Sequence, residues 1–184
     1  KIHDMWQIVP MMKRLSIIFA ILLLPLYSVA QSDVESAFDR WNADKFSMFI
    51  HYGLYSHLGG VWDGEPVRQG YSEQIQSFAG IFSDWYGEEA AVFDPVKFDA
   101  DEIARLAKDG GMRSIVFTSK HHDGFCLWPT ETTDHNITNS GNEYGRETNI
   151  PRDFAKAAKK LKLKYGFYIS PWDRNSALYG TDRY

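Results

Sequence analysis

The chain has 184 residues, enough for one domain with a sizeable core. Its formal net charge of −4 excludes the basic surface that nucleic acid requires. The single cysteine, Cys126, excludes an internal disulfide and a cysteine-rich zinc site.

The first thirty residues read as an export signal rather than as part of the domain. Lys13 and Arg14 form a basic head, an apolar run follows from Leu15 to Leu26, and Ser28 and Ala30 precede a cleavage point before Gln31. The run is too short for a comfortable membrane span, and no cysteine follows it to carry a lipid. A membrane anchor or a buried helix is the plainer alternative. The residues before Met11 do not fit a signal peptide and read as translation from an upstream start. The expected layout is residues 1–30 as leader and 31–184 as part of a folded domain, with a periplasmic or extracellular location and no membrane association after cleavage.

Three later segments have the continuous apolar character of strands buried in a parallel sheet: Phe46–Tyr55, Ser114–Ser119 and Tyr165–Ser170. Helical patterns alternate with them. Trp85–Phe93 precedes Asp94-Pro95. Asp101–Asp109 places Ile103, Leu106 and Ala107 on one face, has Asp99 as a cap with Glu102 in a capping box, and stops at Gly110-Gly111. Arg152–Lys162 places Phe154, Ala157, Ala158 and Leu161 on one side, with Pro151 in its first turn. Alternating strands and helices predict right-handed βαβ units. The fold class is α/β: about three βα units, the N-terminal portion of a truncated eight-stranded (β/α) barrel, a fold that typically needs ~250 residues.

Each strand finishes in polar or aromatic residues. The first ends with His51, the second with His121 and His122, and the third with Tyr168, Trp172, Asp173 and Arg174. In parallel barrels the C-terminal rim of the strands carries the active site. Side chains alternate along a strand, so His121 and His122 share a direction only if the chain leaves the strand there; Asp123-Gly124 supplies that turn. One histidine facing inward while the other braces the loop is the alternative, with Asp123 merely holding the turn.

Ligand types at His51, His121, His122 and Asp123 would suit zinc, but no H-E-x-x-H spacing occurs. G-x-S-x-G and phosphate-binding glycine loops are absent too. A neutral polyhydroxylated ligand remains, because imidazole both donates to and accepts from hydroxyls and indole covers the apolar face of a pyranose. Trp62, in a glycine-rich loop, is either such a platform or a loop plug.

The segments "DKFSMFIHYGLYS", "GMRSIVFTSKHHDGFCLWP" and "YGFYISPWDRN" closely resemble the α-L-fucosidases of glycoside hydrolase family 29, from about Trp41 onward. The resemblance implies a (β/α) barrel that removes terminal α-L-fucose from oligosaccharides or glycoprotein glycans with retention, without a metal or other cofactor. It makes His51, His121, His122, Trp62 and Tyr168 the substrate-binding residues. Many members carry Glu before the tryptophan where Val61 stands here, so that contact is lost or supplied by Asp63 or Glu65. The "SPWDRN" ending resembles the branch that prefers α-1,3 or α-1,4 linkages, whereas the insertion "GYSEQIQSFAGIFSDWY" fits no branch.

Retaining hydrolysis needs two carboxyls about 5–5.5 Å apart. The resemblance places both beyond Tyr184, leaving Asp173 a loop-fixing role and no catalytic residue within the chain. The 184 residues alone are then expected to be inactive and unstable. A non-catalytic fucose-binding barrel, and a metal-dependent hydrolase using His51, His121 and His122, are the alternatives.

Overall fold

The computed structural model describes residues 34–141 and 147–181. The leader, its cleavage point and the boundary at residue 30 lie outside the described residues. Two compact units divide the chain, Lys1–Lys45 and Phe46–Tyr184. In the first, residues 34–43 form helix α1, where the Phe38 and Trp41 rings lie 5.8 Å apart.

The second unit begins with strand β1 (Ser47–Ile50). It was expected to continue to Tyr55, but Gly53 opens a short helix, α2 (Leu54–Leu58), instead. The Gly53 amide donates to Ser56 Oγ at 3.2 Å and the Ser56 amide donates back to the Gly53 carbonyl at 2.9 Å. Leu54 and Tyr55 thereby enter the core as successive helical residues.

A hairpin follows, pairing β2 (Val61–Trp62) with β3 (Glu65–Pro66). Its two-residue loop, Asp63-Gly64, has both φ angles positive, at 51° and 78°. This is the Asp-Gly turn whose twist matches paired strands. The unassigned insertion forms a 3₁₀ turn at Ser72–Gln74, helix α3 (Ile75–Phe78) and the first turn of helix α4 (Ser83–Val92). Ile75 and Tyr86 anchor it in the core, and Ala90 continues that face along α4.

Helix α5 (Ala100–Asp109) starts at Asp99, whose carboxylate accepts from the Glu102 amide at 2.8 Å. Strand β4 (Ser114–Lys120) is next, and helix α6 (Ile150–Lys160) is capped by Asn149 with Pro151 in its first turn. The last strand is β5 (Lys164–Ile169). β4 lies between β1 and β5, parallel to both, with Ser47 opposite Ser114 and Ser114 opposite Lys164.

Ala104 and Ala107 of α5, and Phe154, Ala157 and Ala158 of α6, are buried with Ile115 and Phe117 of β4 in one core cluster. The Phe117 ring sits 4.9 Å from Phe154 and 5.6 Å from Phe98. Burial on both faces holds only toward the end of β4, at Phe117, Thr118 and Ser119. The outer strands leave one row open, with Phe49 50% and Ile169 57% exposed. A three-stranded sheet with helices on one side buries only one face of its edge strands. Among the described residues no helix is long and apolar enough to cross a membrane.

Candidate functional site

Because all three strands run parallel, their C-terminal ends lie together. The early end of β1 leaves His51 one residue past the ladder. In β4 the pairing with β5 shifts between Thr118 and Lys120, and such an irregularity re-aims the side chains that follow. The strand then stops at Lys120, and a turn closes with the Gly124 amide donating to the His121 carbonyl at 3.1 Å. Asp123 sets this turn from the inside. Its carboxylate accepts from the Phe125 amide at 3.2 Å and from the Tyr86 hydroxyl at 3.1 Å.

The two adjacent histidines therefore lie side by side, ring centroids 4.2 Å apart. His121 is buried and lies 5.2 Å from His51, 5.6 Å from Tyr168 and 5.7 Å from Tyr55. His51 is also 6.4 Å from Tyr168. His122 is half-buried, packs 4.8 Å from Trp172 and shares a 2.6 Å hydrogen bond between Nδ1 and Ser170 Oγ. Four of the five expected binding residues thus form one cluster. The fifth, Trp62, makes no ring contact with them among the described residues. It lines a separate depression with His57 and Trp85.

Burial pushes the His121 imidazole down to about 4, with the neighbouring His122, His51 and Arg174 adding to the effect. Burial also lowers His122, reinforced by Arg174 and opposed by the Glu73 carboxylate. At neutral pH both rings are uncharged, so each offers one donor and one acceptor. His121 Nδ1 is buried and has no hydrogen-bond partner among the described residues. No group of three His, Cys, Asp or Glu side chains there is arranged to hold a metal ion.

Sequence reasoning missed Glu73. This residue lies in the unassigned insertion, and its negative charge raises both His122 and Tyr55. Asp63 and Glu65 instead sit exposed on the hairpin. The Arg174 guanidinium lies 6.0 Å from the Trp172 ring and supplies positive potential to both imidazoles, His121 and His122. Asp173 pairs with Lys120 at 3.2 Å and accepts from the Asn175 and Ser176 amides, so it fixes the loop after β5. Glu73 carried no local signal, since its proximity depends on how a 3₁₀ turn docks beside α2.

Behind the cluster, burial also pushes His135 down to about 4 and Asp123 up to about 6. Between pH 4 and 6.5 the unfolded chain carries two more protons than the folded one on His121 and His135, and one fewer on Asp123. Stability is therefore expected to rise with pH across that window, by about 1.4 kcal/mol per pH unit for each net proton. His135→Gln should flatten the rise by about one proton, read as the pH dependence of the urea midpoint of the complete gene product. An unaltered slope would contradict the assignment.

A family model described as Alpha-L-fucosidase matches residues 26–184. The putative α-L-fucosidase 1 of Oryza sativa subsp. japonica is 32% identical over 158 residues, covering 86% of this chain and 25% of its own length. Among solved structures, an α-L-fucosidase of glycoside hydrolase family 29 from Bacteroides thetaiotaomicron superposes with a TM-score of 0.71 at 31% identity, over 78% of this chain and 31% of that one. The Lactobacillus casei α-L-fucosidase AlfC in complex with its α-L-fucose product superposes with a TM-score of 0.65 at 39% identity, over 71% and 40%. The chain thus spans about a quarter to two fifths of the length of these relatives. With the family model covering all three strands and the imidazole cluster, the chain belongs to the α-L-fucosidase family.

Proposed function

We propose that this chain is the N-terminal portion of the (β/α) barrel of a retaining exo-α-L-fucosidase, and that it supplies the pocket for the terminal fucose. The observation that carries the reading is the meeting of His51, His121, His122 and Tyr168 at the ends of three consecutive parallel strands. Uncharged imidazoles suit a neutral deoxyhexose, whose hydroxyls both donate and accept. Glu73, whose charge raises His122, is the carboxylate we assign in place of the glutamate absent at Val61. The exposed rows of β1 and β5 are the faces that further barrel strands and their side chains would cover.

The nucleophile and the acid/base then belong to the remainder of the barrel, and Asp173 keeps a structural role. Preference for α-1,3 or α-1,4 linkages follows from the likeness of the Ser170–Asn175 segment to that branch. Export follows from the leader-like pattern of residues 11–32.

The test uses the complete gene product on p-nitrophenyl α-L-fucoside, with the anomer first released read by NMR. Chelator-insensitive release of the α-anomer is expected. Release that stops with chelator, or β-fucose appearing first, would overturn the reading.

A further inference from the structure

Helix α4 starts at Ser83 without a side-chain cap, although a serine at a helix start ordinarily turns its hydroxyl back onto the helix amides. Ser83 instead donates its hydroxyl at 2.7 Å to the carbonyl of Arg174, in the loop after β5. Gln76 of α3 supports it, with Nε2 donating to Ser83 Oγ at 3.3 Å. One turn on along the same face of α4, the buried Tyr86 donates its hydroxyl at 3.1 Å to Asp123, in the turn after β4. Both hydroxyls lie in the insertion of residues 70–86 that fits no branch.

The two loops that α4 reaches are also tied to each other. The Arg174 amide donates at 2.9 Å to the His122 carbonyl. The Arg174 backbone is thus held from both sides, by Ser83 at its carbonyl and by His122 at its amide. His122 and Asp123, adjacent in sequence, are in turn gripped by one helix along two routes.

We infer that Ser83 and Tyr86 are positioning residues of the fucose pocket: α4 fixes where the loops after β4 and β5 meet, and so where His122 and the Arg174 guanidinium stand. The inference rests on the fucosidase reading above for what the pocket does. Both residues act through others, Ser83 through the Arg174 backbone and Tyr86 through the Asp123 carboxylate. A purely local role for Ser83 is disfavoured because its hydroxyl caps no amide of α4, and alanine is the better helix former, so Ser83→Ala leaves the helix itself intact.

The His122 ring reports on this arrangement. Burial is the main cause that lowers it and Arg174 the next; Glu73 of the 3₁₀ turn opposes them, while Lys120 of β4 and His51 add to the lowering. The His121 ring lies alongside. Of the charged groups only Arg174 is bonded to Ser83. Releasing that bond relieves its effect, so the His122 imidazole titrates closer to its ordinary value.

The experiment compares wild type, Ser83→Ala, Ser83→Thr and Tyr86→Phe as the complete gene product. It reads kcat/KM on p-nitrophenyl α-L-fucoside and follows the His122 titration by ring-proton NMR. Ser83→Ala is expected to lower kcat/KM about three- to tenfold, the scale of one lost neutral hydrogen bond, and to move the His122 titration up in pH. Ser83→Thr keeps the hydroxyl and should restore both. Tyr86→Phe keeps the ring and should lower kcat/KM by a similar factor. Wild-type kcat/KM in Ser83→Ala or in Tyr86→Phe overturns the inference. So does a loss of activity in Ser83→Ala with His122 titrating as in the wild type, since general loosening of the fold would do that. A wild type without fucosidase activity counts against the fucosidase reading, and the His122 titration in Ser83→Ala then decides this inference alone.

Discussion

His121→Phe is expected to lower kcat/KM on p-nitrophenyl α-L-fucoside by about 10²–10³-fold while leaving the folded state as stable as the wild type or slightly more so. The first half follows from position. His121 is the centre of the cluster, touching His51, His122, Tyr168 and Tyr55, and burial keeps its ring uncharged. Removing one buried, preorganised hydrogen-bonding group from a site of this kind costs about 2.7–4 kcal/mol of transition-state stabilisation. The second half follows from Nδ1, which is buried without a partner among the described residues. A buried polar atom left unpaired is destabilising, and a phenyl ring fills nearly the same volume without it. His121→Ala would confound the two effects by leaving a void beside Tyr55 and Tyr168. Activity within threefold of wild type in His121→Phe, at unchanged thermal stability, would remove His121 from the site.

His122 makes a useful contrast because it is held differently. Its ring is half-buried, tied to Ser170 Oγ and stacked near Trp172, so its placement depends on the loop after β5. The two neighbours in sequence thus occupy one site through two separate supports. Alternation along a strand would have put them on opposite faces; the pairing shift at Thr118–Lys120 and the Asp123-Gly124 turn prevent that.

The sequence made the sheet order and the helices readable because each element carries its own period and end signals, as Asp99 and Pro151 do for α5 and α6. The end of β1 was misjudged because Tyr52, Leu54 and Tyr55 are as apolar as the strand before them; only Gly53 and Ser56 mark the change to α2. The rim histidines were legible because polar residues closing an apolar run have a short-range pattern. Glu73 was not, because nothing within a few residues of it says which surface its turn will face. Trp62 shows a different limit: its residue type suits a sugar platform, but only the structure shows that it stands on the Asp63-Gly64 hairpin beside His57 and Trp85.

Lys120→Met should cost about 2–4 kcal/mol of stability and impair fucoside turnover in the same variant. The Lys120 ammonium is a three-way clamp on the loop after β5, lying 3.2 Å from the Ser170 carbonyl, the Trp172 carbonyl and Asp173 Oδ2. Its side chain is 12% exposed and that of Asp173 24%. Breaking a fully buried pair costs about 3–5 kcal/mol, and this partial exposure reduces it. The strand end and the turn after it are both involved. Gly124 has φ of 83°, and a Cβ there would clash with the Asp173 carboxylate, so a side chain at this position would push against the clamp. Without the ammonium, two carbonyls and a carboxylate lose their common partner. Ser170 and Trp172, which hold His122, lose their anchor. Lys120→Arg is not expected to rescue, since a planar fork cannot direct donors to three acceptors grouped around a single nitrogen as an ammonium does. Adding Asp173→Asn to Lys120→Met should restore part of the stability by removing the unpaired charge, but not the activity, because the two carbonyls stay unclamped. Urea midpoints and kcat/KM for the wild type, both single variants and the double variant separate the two roles. Equal stability of Lys120→Met and wild type would show that the clamp holds nothing.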